Sequence, residues 1–202
     1  MALGDPYATL EQLKGRLDIE DAVDDDDLAA ALAAVSRGIE KFCHRQFNKA
    51  ETATARLFTP TWAAMVRVDD FHTTTGLVIA TDPGGDATFG TTLEISQYEL
   101  HPLNGIVDGE EGWPYSTIRG VLRSTFPCTG RASLRVTAQW GWAAVPAPVR
   151  QACLILAAEC FKLKDAPFGV AGFGEYGVVR IRQNPIASGM LAPYRRDPVL
   201  VG

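Results

Sequence analysis

The sequence predicts an α+β protein: a small helical bundle with a β-rich insertion between its second and central helices, and an extended C-terminal arm. Three observations carry that prediction. Leu28, Leu32, Val35, Ile39, Phe42 and Cys43 recur at spacings of three and four, as one face of a helix does. From Glu51 to Gln139 the pattern changes to short runs of Thr, Val and aromatic residues between frequent turns, which is strand-like. Val149, Ala152, Cys153, Leu156, Ala157, Cys160 and Phe161 then restore the helical period. Helices flanking a block of strands argue for α+β, since no alternation of strand and helix is present.

In chain order, Thr9 with Gln12 has capping-box spacing, and Leu10, Leu13 and Leu17 give a short helix its apolar stripe. The acidic run Asp18–Asp27 leads into a second helix, predicted over about Asp26 to Phe47. Its aspartates suit a helix start, where the dipole favours carboxylates, and lack the glycine and closing Glu of a calcium loop. Strands are predicted at Arg56–Phe58, Met65–Val68, Gly76–Ala80, Thr92–Ile95, Tyr98–His101 and Ile118–Leu122. Asp82-Pro83-Gly84-Gly85-Asp86 reads as a hairpin tip, and Leu103–Ser116 as an exposed acidic loop. Leu134, Val136 and Ala138 alternate with Arg135, Thr137 and Gln139, so a half-buried strand ends at Trp140-Gly141-Trp142. Val145-Pro146-Ala147-Pro148 opens the most apolar helix, because proline suits the first helical turn. The segments implied are 1–50, N-terminal helices; 51–133, β-rich insertion; 134–165, central strand and helix completing the core; and 166–202, the arm.

The 202 residues are enough for one domain with an inserted subdomain. No apolar run reaches the roughly 20 residues that span a bilayer, and the opening stretch lacks a secretory signal, so no membrane partner is expected. A formal net charge of −5 argues against sequence-independent nucleic-acid binding driven by phosphate neutralisation. The four cysteines lack disulfide or zinc spacing, and Cys153 and Cys160 read as core residues. Cys43 and His44 are adjacent on a helix and therefore point about 100° apart, which does not make a nucleophile–base pair. His44, His72 and His101 are scattered, and no nucleophile elbow, phosphate loop or HExxH is present. No enzyme, metal or cofactor is expected.

Two segments read as interaction surfaces. The central helix has so few polar positions that Leu154, Ile155, Phe161 and Leu163 are expected to pack against neighbouring subunits. The arm has Phe168, Phe173, Tyr176 and Tyr194 beside Arg180, Arg182, Arg195 and Arg196, types enriched at interfaces. Its aromatics are expected to fill pockets on a partner. Val178–Arg182, including Ile181, is expected to add a strand to a neighbouring sheet, with the arginines pairing with partner carboxylates.

The helix pair of residues 7–47, the β insertion, and the run QWGWAAVPAPVRQACLILAAECFKLK together resemble the head–tail connector (adaptor, or head-completion) family of long-tailed bacteriophages. The specific match is Gln139–Lys164: a strand ending in an aromatic–glycine pair, Val145-Pro146, the polar pair Arg150-Gln151, then an apolar helix. The resemblance implies a structural virion protein in the neck, made in the host bacterial cytoplasm. It forms a ring, in the usual case of twelve subunits, below the portal protein. That ring extends the channel for double-stranded DNA and offers a platform to the head stopper and tail. Acidic, glycine-rich loops are then expected to face the channel, with Asp82 and Asp86, or Asp108, Glu110 and Glu111, repelling phosphate. Two other readings are a small ligand-binding or regulatory domain and a different neck or tail-completion protein. The long helices disfavour the latter.

Overall fold

A computed structural model of the chain describes residues 3–121, 123–162 and 181–196. They form two compact units, a helical one (Leu3–Asn48 with Ala144–Arg196) and a sheet (Lys49–Ala143). The fold is therefore α+β, with the strands inserted between the second and central helices.

In the helical unit, α1 (Leu10–Leu17) starts at Thr9, whose side chain accepts from the Gln12 backbone while Gln12 reaches back to Thr9. Helix α2 (Asp25–Cys43) has three aspartates in its first turn and buries Leu28, Leu32, Val35 and Ile39. It ends earlier than the periodicity suggested. His44 adopts the left-handed conformation (φ 52°), and its N–H closes on the Glu40 carbonyl, so the chain turns and Phe47 folds back into the core. Helix α3 (Ala147–Lys162) packs against α1, α2 and a fourth helix, α4 (Pro185–Leu191). Contact with three helices accounts for its apolar composition, and Val149, Ala152, Cys153, Leu156, Ala157 and Ala158 are the residues it buries.

Among the described residues the sheet unit has eight strands: β1 (Thr54–Phe58), β2 (Met65–Thr81), β3 (Thr91–Thr92), β4 (Tyr98–His101), β5 (Ile106–Val107), β6 (Glu110–Glu111), β7 (Tyr115–Gly120) and β8 (Leu134–Trp140). The main sheet is antiparallel in the order β1–β8–β2–β7–β4, with β3 on β2 and a separate β5–β6 pair. The two strands expected at Met65–Val68 and Gly76–Ala80 are one long strand. Its register slips between Phe71, Thr73 and Val78, and these irregularities let one strand serve β7 with its first half and β8 with its second. Thr92–Ile95 gives only a two-residue strand before a 3₁₀ turn at Ile95–Gln97.

Strand β8 lies within the sheet, flanked by β1 and β2, and the unit boundary falls after Ala143. The sequence-based segment 134–165 had grouped it with the helix. Its alternation is the one expected: Leu134, Val136, Ala138 and Trp140 are buried with Val66, Val68, Phe71, Ile79, Ile118 and Phe126. Gly141 (φ 95°) separates the two tryptophans that follow. Trp140 donates to the Thr54 carbonyl at 2.8 Å, and Trp142 donates to the Asp70 carboxylate at 3.0 Å while its ring lies 5.0 Å from that of Trp113. Arg56 covers the Trp140 ring at 4.5 Å and pairs with Asp69 at 2.6 Å.

Candidate interaction surfaces

The residues expected to carry function fall on three places. On α3, Leu154, Ile155 and Phe161 are half-buried within their own unit, whereas Leu163 lies outside the described residues. The helix thus leaves an apolar fringe partly open beside the face it buries.

The second place is 181–196, and here the expectation of an extended arm is corrected. Ile181, Arg182 and Gln183 have helical backbone, not strand. Asn184 then caps α4, its side-chain oxygen accepting from the Ala187 N–H at 2.9 Å, with Pro185 at the first helical position. Ile181, Ala187, Leu191 and Tyr194 are buried in their own helical unit, so Ile181 and Tyr194 do not reach for a partner. The Tyr194 ring meets Phe47 edge-on at 6.0 Å, and Phe47 meets Tyr7 at 5.6 Å. Arg195 lies over the Phe42 ring at 5.6 Å, and the Arg196 N–H bonds to the Cys43 carbonyl. Asn184 also donates to Glu159 on α3 at 2.6 Å. Apolar residues at Ile181, Ala187 and Leu191 thus found a core nearby. Arg182 and Arg195 remain exposed and Arg196 half-buried. Phe168, Phe173, Tyr176, Val178 and Arg180 lie outside the described residues.

The third place is the set of acidic loops. Asp82 is buried, its two carboxylate oxygens accepting from Gly85 N at 3.0 Å and Ala87 N at 2.7 Å. It organises the turn after β2, with both oxygens engaged by that turn's backbone, and offers no exposed carboxylate. Asp86 is exposed, and hydrogen bonds from Thr88 hold its carboxyl below the usual carboxylate range. Asp108, Glu110 and Glu111 are exposed together on the β5–β6 hairpin. Asp108 (φ 51°) and Gly109 (φ 84°) form its two-residue turn, the Asp-Gly pairing that tight hairpins favour.

Buried titratable groups serve packing. Tyr7 donates to Glu40 at 2.7 Å and accepts the Phe47 N–H at 3.1 Å, while its own N–H bonds to Ser36 Oγ at 3.0 Å. Burial raises the Tyr7 phenol strongly, and burial also raises Glu40, against the Tyr7 hydrogen bond and Arg37. Burial pushes the Cys43 thiol up to about 12 and that of Cys153 up to about 11. Thiols so shifted are poor nucleophiles. His72 is lowered by burial and by Lys49, and His101 Nε2 lies 3.7 Å from Glu99. Among the described residues no group of His, Cys, Asp and Glu could hold a metal ion, and no helix is long and apolar enough to cross a membrane.

No family model and no curated protein matches this sequence. Solved structures match it, among them these two. One is the neck of an empty gene transfer agent particle computed with C6 symmetry, at 20% identity and a TM-score of 0.54, with 97% of this chain and 93% of that chain covered. The other is the virion of a native gene transfer agent particle, at 20% identity and a TM-score of 0.51, with the same coverage. Nearly the whole of each chain takes part, helices and sheet alike, so this chain has the fold of a component of a gene transfer agent neck.

Proposed function

We propose that the protein is a head-to-tail adaptor of a phage-like particle: a ring of identical subunits beneath the portal that extends the DNA channel and seats the stopper and tail. The observation that carries this reading is the near full-length likeness to a chain in a particle neck, at 97% coverage. The run Gln139–Lys164 supports it independently, with its aromatic–glycine strand end, Val145-Pro146 and apolar helix. The sixfold symmetry used for that neck suits rings of six or twelve. The role is structural and needs no cofactor.

The half-buried fringe of α3, Leu154, Ile155 and Phe161, supports packing between subunits. Portal docking is assigned to Phe168, Phe173 and Tyr176, the aromatic residues that the sequence places between Lys162 and Ile181. Exposed carboxylates, at Asp86 or on the Asp108–Glu111 hairpin, would keep the channel wall from holding phosphate.

Native mass measurement and negative-stain imaging of the purified protein, alone and with portal, test the reading. Rings in either condition support it. A protein that stays monomeric in both, or that binds DNA tightly with steep salt dependence, overturns it.

A further inference from the structure

Two exposed surfaces of opposite charge stand on different units of the chain. Lys41, Lys162, Arg182 and Arg195 are exposed around α4, with Ile186 bare at 62% between them. Their grouping follows from contacts within the helical unit. Arg195 lies over Phe42, next to Lys41, and Asn184 bonds to Glu159, one turn before Lys162 and two residues after Arg182. Helix α4 is only about 10 Å long at 1.5 Å per residue, so these cations share one end of the unit. Among the described residues, the nearby carboxylates Glu159 and Glu40 are engaged with Asn184 and Tyr7.

The second surface is the β5–β6 hairpin. Asp108, Glu110 and Glu111 are exposed there beside Leu103 at 56% and Ile106 at 41%, and the run Leu103–Pro114 contains no Lys or Arg. Exposed aliphatic surface, Ile186 on one and Leu103 with Ile106 on the other, is therefore rimmed by charges of opposite sign on the two.

We propose that the acidic hairpin of one subunit seats on the basic α4 surface of the next copy of this chain. A contact between two different surfaces of identical chains is heterologous, and it builds a ring when its rotation closes. Opposite charges would set register and steer encounter, and the aliphatic residues would supply the dry centre. This rests on the ring reading and refines it, placing the hairpin at the subunit contact and leaving Asp86 for the channel.

The test uses two full-length variants, R182E/R195E and D108K/E110K/E111K, each checked for folding by circular dichroism and thermal melting. Each alone should assemble at least about tenfold more weakly than wild type by light scattering, since like charges are then juxtaposed. Mixed in equal amounts, they should regain assembly, because each then offers the surface the other needs. The milder R182Q/R195Q should lie between. Unimpaired assembly of either variant overturns the proposal and leaves the ring reading standing. So does failure of the mixture, or a loss confined to portal or DNA binding. A wild-type protein that never assembles removes the ring reading and this proposal together.

Discussion

At the scale of single residues, the most demanding positions are buried hydrogen-bonding groups and one close backbone approach. The Tyr7 hydroxyl joins α2 to the returning chain by donating to Glu40 and accepting from Phe47. Tyr7→Phe removes both hydrogen bonds of that hydroxyl from the core and should cost about 1–3 kcal/mol in denaturant unfolding. Glu40 gives a pH signature. Its folded-state pKa is raised above the ordinary value of 4.5 by burial, so it binds its proton more tightly folded than unfolded. Its stabilising contribution is therefore full below about 4.5 and is lost as pH rises through the raised folded value. Glu40→Gln should flatten that fall while leaving the Tyr7 hydroxyl a side-chain oxygen to bond. Equal slopes for both proteins would refute this. Gly120 is the steric case. A Cβ there would meet the Ser124 carbonyl oxygen at 2.1 Å, so Gly120→Ala should destabilise the sheet unit by about 1–3 kcal/mol or more.

At the scale of elements, α3 and the C-terminal helix decide what is core and what is surface. Leu156 and Cys153 point into the bundle, whereas Leu154 and Ile155 sit on its half-open fringe. On the ring reading, Leu154→Asp with Ile155→Asp should leave helical content unchanged and shift the mass towards monomer. Unfolding instead would show the fringe to be core. The stretch 181–196, with α4 at its centre, contributes buried Ile181, Ala187, Leu191 and Tyr194 to its own unit. Removing residues 181–202 should therefore destabilise that unit by about 5 kcal/mol from lost burial alone. A clean test of portal docking replaces residues 166–180 with a Gly-Ser linker of equal length, keeping this helix. The linker variant should form rings yet fail to join capsids.

For the whole molecule, the order of helices, inserted sheet and central helix follows from changes of hydrophobic period, and the likeness to a particle neck chain spans both units. Charge is distributed rather than uniform, since a net −5 protein keeps an exposed basic surface around α4 and an exposed acidic hairpin. Assembly through these surfaces should weaken with salt, as exposed charges more than about 8–10 Å apart are screened near 0.1–0.15 M. Sedimentation at 50 mM and 500 mM salt reads that dependence, and identical distributions would contradict it.

The sequence by itself determined what depends on local period and capping. Thr9 and Gln12 announced the first helix, the alternation from Leu134 to Gln139 announced β8, and Val149–Phe161 announced α3. Each signal lies within one element, where burial on one face imposes a period of two or 3.6 residues. The C-terminal helix was not read, although Asn184-Pro185 followed by Ala187 and Leu191 is an N-cap and first-turn proline ahead of helical spacing. The prolines and aromatics around it suggested an extended arm, because the core that Leu191 and Tyr194 enter is made by Phe47 and α3, far away in sequence. Only tertiary structure decided that Asp82 is a buried turn organiser while Asp86 is exposed, although both flank the same Pro-Gly-Gly. It also decided that β2 is one strand pairing with β7, β8 and β3. Register and burial arise from pairing between segments many residues apart, and no local pattern records which segments those will be.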